Sequence, residues 1–126
     1  MRSHNPPSIF SAPSYSHGIE VSPNARWLYV AGQVGSGADG KPKQGVEAQT
    51  DQAWRNLKAV LASAGMSMEN VVKITTYLTD ENSIAAYRKG RAEHLGEFRP
   101  ASTLVIVKRL ADPAWLVEVE AIAAKA

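Results

Sequence analysis

The chain has no cysteine among its 126 residues. Disulfides, thiolate metal sites and a cysteine nucleophile are excluded together. The same absence fits a reducing compartment, so a cytoplasmic location is expected. Also missing is any apolar run approaching ~20 residues, the length a membrane-spanning helix needs, so no membrane association is expected. Nor is there an excess of one charge: 14 Lys and Arg against 12 Asp and Glu leave a net charge of +2. The bases form only small clusters, Arg88, Lys89 and Arg91 in one and Lys108 and Arg109 in the other. Nucleic-acid binding draws on a concentrated basic stripe, and single strands also want aromatic platforms beside it. Neither is evident, so nucleic acid is not an expected partner. The start, Met1 to Pro7, lacks the apolar core of a secretory signal. Residues 1 to about 10 read as a flexible arm on a single domain spanning 1–126.

What is present is ordinary for a soluble globular domain, with 44% hydrophobic and 21% charged residues. Ser16 to Val21 is a short extended run, Ser22 to Arg26 a turn rich in Pro and Asn, and Trp27 to Gly32 the second strand of a hairpin. Gly35 to Lys43 is a loop. Val46, Ala53, Trp54, Leu57, Val60, Leu61 and Ala64 recur at three- and four-residue steps, which predicts a helix over 46–64 with Gly65 as its cap. Val71 to Leu78 is a strand by its branched residues. A second helix is expected over 83–95, with Ile84, Tyr87, Arg91 and Leu95 inward. Gly90 inside it costs up to about 1 kcal/mol relative to alanine. Thr103 to Lys108 and Trp115 to Ala123 are the last two strands. Two helices on one face of a mixed sheet is the natural packing for this order. The last strand has no simply polar face, so the second face of the sheet should meet something, most simply another copy of the chain.

Few motifs carry chemistry. Gly35-Ser36-Gly37-Ala38-Asp39-Gly40 matches G-x-G-x-x-G and follows a strand, but Lys41-Pro42-Lys43 comes next and the helix starts later, so it reads as a loop and no dinucleotide cofactor is expected. His4, His17 and His94 share no ligand spacing, so no metal is expected. There is no G-x-S-x-G nucleophile turn. Glu118 and Glu120 lie two apart on a strand and share a face, beside Leu116 and Ile122. Such carboxylates suit acid–base work or interface ion pairing. Trp54, Leu57 and Leu61 read as core.

Pro100-Ala101-Ser102-Thr103-Leu104-Val105 and Leu116-Val117-Glu118-Val119-Glu120-Ala121-Ile122-Ala123 together resemble the C-terminal signature of the RidA (YjgF) family. That signature runs Pro-Ala-Arg-Ser-x-Val, then Arg-Leu, then Glu-hydrophobic-Glu-Ala-Ile-Ala. Tyr15-Ser16-His17-Gly18, Leu28 to Val34, Asn56 to Leu61 and Val71 to Asp80 are similar to further family segments, so the likeness runs from about Tyr15 to Ala123. It implies a chorismate-mutase-like α+β fold, a two-layer sandwich of a mixed β-sheet of about six strands with two helices on one face. It also implies a homotrimer with ligand clefts between subunits, and cofactor-free hydrolysis of imines or enamines to a keto acid and ammonia. Residue by residue, it places Glu120 as the catalytic carboxyl group. Tyr15, Ala31, Gln33, Arg88, Ser102, Thr103 and Leu104 become the small-molecule-binding set.

Departures fall in the same set. Ser102 stands where the family's deaminases have the arginine that holds the substrate carboxylate, Ala31 replaces a serine and Gly35 a proline. A serine cannot neutralise charge, and losing a charge-assisted contact removes about 1.5–3 kcal/mol of binding. Weak or absent activity on 2-imino acids is therefore expected. Arg88 or Arg91 is a candidate substitute cation. The alternatives are a non-catalytic trimer that binds a metabolite in the same cleft and, behind it, a ribonuclease or translation-inhibitor role.

Overall fold

The computed structural model describes residues 1–126. Six strands and two helices occur in the order β1 (Arg2–His4), β2 (Gly18–Glu20), β3 (Arg26–Val34), α1 (Val46–Ser63), β4 (Val71–Leu78), α2 (Ile84–Leu95), β5 (Ala101–Ile106) and β6 (Val117–Lys125). Strands β3, β6, β4 and β5 form one mixed sheet in that order, antiparallel except for the parallel β4–β5 pair. The expected α+β architecture of two helices with a mixed sheet is present. Its six strands divide into this sheet of four and a separate ribbon of two.

That ribbon corrects one expectation. The run after Ser16 does not pair with Trp27–Gly32; β2 pairs with β1, in the register Arg2 to Glu20 and His4 to Gly18. The N-terminal segment read as a flexible arm thus has defined contacts. Asn5 Oδ1 accepts from the His17 backbone N–H at 2.8 Å, and the His17 ring bonds the Phe10 carbonyl at 2.8 Å.

Alternation along β4 and β6 separates two faces. Ile74, Thr76 and Leu78 on β4, with Val117, Val119, Ala121 and Ala123 on β6, are buried under the helices, where Trp54, Leu57 and Leu61 of α1 and Tyr87 and Leu95 of α2 meet them. Each fully buried Leu contributes about 1.5–3 kcal/mol, so this layer dominates stability. Gly90 has a reason that sequence alone did not give. A Cβ there would lie 2.7 Å from Thr50 Cγ2, so α2 approaches α1 at a point where only glycine fits. Gly65, at φ 70, ends α1 in the left-handed region as expected.

Strands β5 and β6 are displaced from the predicted ranges. Strand β5 starts at Ala101 because Lys73 of β4 pairs there and Ser16 bridges to the same residue. Strand β6 starts at Val117 because the two preceding residues are committed elsewhere. Trp115 Nε1 donates to Ser36 Oγ at 3.0 Å, and the Leu116 N–H donates to Gln49 Oε1 at 2.7 Å. Buried Gln49 also donates to the carbonyls of Lys43 and Ala114, both at 3.0 Å, fastening two loops to α1. The glycine-rich segment is accordingly a pinned loop. Gly40 lies well before the helix, whose N-cap is Gly45.

Candidate functional site

Strand alternation sends the predicted site residues to opposite faces of the sheet. On the helix side, Ser102 and Leu104 of β5 stand in register with Ile74 and Thr76 of β4. The segment before β2 runs alongside: the Ser16 N–H donates to the Pro100 carbonyl at 3.2 Å and its Oγ donates to the Arg99 carbonyl at 2.6 Å. This brings Tyr15 to the mouth of a cavity of about 250 Å³, lined by Ser14, Tyr15, Thr76, Tyr87, Arg88, Arg91, Ser102 and Leu104.

Below that cavity, Tyr87 and Thr76 share a hydrogen bond of 2.5 Å between their hydroxyls, both buried. Burial pushes the Tyr87 hydroxyl above its ordinary value, against the opposing effect of the Thr76 bond. Arg91 is only 9% exposed. Its one hydrogen bond runs from Nη2 to the Ser14 carbonyl at 3.3 Å, and its Nε has no partner. Burial lowers its pKa from the ordinary value, opposed by the neighbouring Tyr87 hydroxyl and aided by the charge of Arg88. Arginine stays protonated nonetheless. The ion pairs of the chain are His4–Glu20, Arg55–Asp51 and His94–Asp51, so neither Arg88 nor Arg91 has a carboxylate partner.

On the open face, a cavity of about 400 Å³ is lined by Tyr29, Val30 and Ala31 of β3, Lys73 and Thr75 of β4, and Glu120, Ala121 and Ile122 of β6. Glu120 also borders a second hollow with Tyr77, Arg109 and Glu118. The Tyr77 hydroxyl donates to Glu120 Oε1 at 2.5 Å. That bond, then burial and the Glu120 and Glu118 charges, raises the Tyr77 pKa. Thr103 faces this side as well, its hydroxyl accepting from Lys73 Nζ at 2.6 Å. Gln33, at the end of β3, turns back to the Ala31 carbonyl at 3.0 Å and lines neither main cavity.

One copy of the chain thus unites Tyr15, Arg88, Ser102 and Leu104, and separately Ala31 and Glu120, with the sheet between the two groups. Sequence reasoning overlooked Tyr77, Lys73 and Thr75. Their alternation along β4 put them on one face, but that β6 would lie beside β4 was not legible. Arg91 carried a stronger signal, an arginine set in an apolar helical stripe. No three His, Asp or Glu side chains come together as metal ligands would.

The open face bears large apolar side chains, with Tyr29 73% and Trp27 49% exposed. No helix of the chain is long and apolar enough to cross a membrane.

Comparison with known proteins agrees with this architecture. The profile of the family described as Endoribonuclease L-PSP matches residues 7–125. A crystal structure of a conserved Rid-family protein of unknown function from Yersinia pestis superposes with a TM-score of 0.87 at 34% identity, covering 98% of each chain. A RutC family protein of Pyrococcus horikoshii is 38% identical over 117 residues, spanning 88% of this chain and 86% of its own length. The mitochondrial protein mmf1 of Schizosaccharomyces pombe is 35% identical over 122 residues, 94% of this chain and 73% of the relative. With its strand order, its helix layer and a match running nearly end to end, the chain belongs to the YjgF/RidA (Endoribonuclease L-PSP) family.

Proposed function

We propose that the protein is a cofactor-free hydrolase of imine- or enamine-type metabolites, working in clefts between the subunits of a homotrimer. The observation that carries this is the split of the site. Glu120 and Ala31 lie on the open face, while Tyr15, Arg88 and Ser102 lie on the helix side. They converge only if the open face of one copy covers the edge pocket of the next. The exposed Tyr29 and Trp27 supply an apolar reason for that contact.

In such a cleft Glu120, held by the Tyr77 hydroxyl, accepts a proton from water as its oxygen adds to the C=N carbon. The imine nitrogen takes up a proton to give a carbinolamine. The C–N bond then breaks, ammonia leaves and the carbonyl forms, and water is the sole co-reactant. A cytoplasmic setting fits the absence of cysteine.

The test is keto-acid release from freshly generated 2-iminopropanoate and 2-iminobutanoate, with wild type beside Glu120→Ala and Ser102→Arg. Weak wild-type turnover, abolished in Glu120→Ala and raised in Ser102→Arg, is the expected pattern. No turnover in the wild type or in Ser102→Arg would refute the reading. The second reading, a trimer that binds a metabolite without turning it over, is favoured by Ser102 itself. Saturable binding with turnover appearing only in Ser102→Arg would select it.

A further inference from the structure

We infer that Arg91, with Arg88, is the anion anchor of the helix-side pocket and takes over the charge missing at position 102, so that the ligand is a small carboxylate. The inference rests on the reading that this pocket belongs to the ligand cleft.

Several independent observations converge. Arg91 is more than nine-tenths buried, yet it has no carboxylate within ion-pair distance. Its only bond is the long one to the Ser14 carbonyl, and its Nε–H is left without an acceptor. A buried guanidinium cannot escape this cost by losing its proton, so the fold retains a charge awaiting a partner. Structural arginines that serve only packing are paired or hydrogen-bonded through their fork.

Arg88 lies one turn away on the same helix face, an i, i+3 relation that places two cations on one cavity. Aspartate and glutamate are absent from the eight lining residues, whereas Tyr15 and Ser102 bring hydroxyls that make no hydrogen bond within the chain. The chemistry is that of an oxyanion receptor, a planar fork flanked by neutral donors. At about 250 Å³ the cavity is smaller than the ~300–1,000 Å³ that drug-sized ligands occupy, which suits a metabolite of a few carbons and excludes an oligonucleotide. The tethering of Ser14 to Arg91 also couples the Tyr15 segment to the anchor, so a bound anion that draws the guanidinium inward acts on the cavity mouth as well.

The experiment measures binding of 2-oxobutanoate, of its uncharged analogue 2-oxobutanamide, and of inorganic phosphate by calorimetry, with imine turnover assayed on the same samples. Wild type is expected to bind the keto acid and not the amide. Arg91→Met should weaken keto-acid binding about ten- to a hundredfold, and Arg88→Gln, at an exposed position, by less. Ser102→Asp guards against a variant that fails to fold. It tethers a carboxylate within the pocket, so it should raise the melting temperature and block keto-acid binding.

Equal affinity for acid and amide, tighter binding of phosphate than of the keto acid, or Arg91→Met binding as wild type would overturn the inference. So would a Ser102→Asp protein that is less stable than wild type and still binds. Binding without turnover would sink the hydrolase reading and leave the anchor standing. Turnover indifferent to Arg91 would do the reverse.

Discussion

Replacing Tyr87 by Phe removes one hydroxyl from the floor of the helix-side pocket and leaves the ring in place. Tyr87 and Thr76 are each 1% exposed, so once the 2.5 Å bond between them is gone, Thr76 Oγ1 has no water to turn to. The Trp54 indole N–H lies near the same hydroxyl but outside hydrogen-bond geometry, and it offers no acceptor. The net worth of an ordinary hydrogen bond is about 1 kcal/mol, whereas a buried polar group left unpaired costs about 1–3 kcal/mol. The second figure applies here. At about 4 °C per kcal/mol for a chain of this length, Tyr87→Phe should melt about 4–12 °C below wild type. Thr76→Val, which strands the Tyr87 hydroxyl, should fall in the same range.

The double variant Thr76→Val/Tyr87→Phe buries no orphaned group, and replacement of both partners is close to neutral. Its loss should therefore be well below the sum of the single losses, a coupling of about 1–2 kcal/mol. Urea unfolding at matched protein concentration reads this directly, the concentration being fixed because assembly shifts apparent stability. Additive losses in the double variant would refute the reasoning, since the two hydroxyls would then not depend on each other.

Other consequences follow from particular contacts. Tyr77→Phe takes the donor from Glu120 Oε1 and, on the proposed hydrolase reading, should lower kcat for keto-acid release about tenfold with little change in KM; a rise in KM alone would place Tyr77 in binding instead. Gly90→Ala sets a helix-propensity gain of about 1 kcal/mol against overpacking of about 1–3 kcal/mol, because the new Cβ meets Thr50 Cγ2. The overpacking should win, and a lowered urea midpoint checks it. Asp51 accepts from Arg55 at 2.7 Å and bonds His94 at 2.8 Å, and these bonds hold its carboxyl below the ordinary value despite some burial. A carboxyl group depressed in the folded state stabilises above its unfolded pKa of about 4 and loses that contribution as pH falls through the lower folded value. Stability should accordingly drop on acidification below about pH 4, and Asp51→Asn should flatten that part of the profile; an unchanged acid limb would show the pair to be inert. On the open face, Tyr29→Glu should lower the mass of the proposed trimer by light scattering, and an unchanged mass would show that the face is not the interface.

Local sequence pattern determined a good deal of this protein by itself. The three- and four-residue spacing from Val46 to Ala64 marked α1, and branched residues from Val71 to Leu78 marked β4, because helix and strand periodicity are properties of neighbouring residues. The signature around Ala101 and Glu120 carried the family for the same reason: it is a linear pattern. Pairing was decided only by tertiary structure. That β2 joins β1 and leaves β3 to β6 depends on contacts between segments distant along the chain, and a strand's own composition does not name its neighbour. The reason for Gly90 lay in Thr50 of the other helix. The division of the candidate site belongs to the same class. Residue parity fixed that Glu118 and Glu120 share a face, but only the packed sheet put the helices over Val117 and Val119, left Glu120 on the open side, and sent Ser102 and Arg91 to the other.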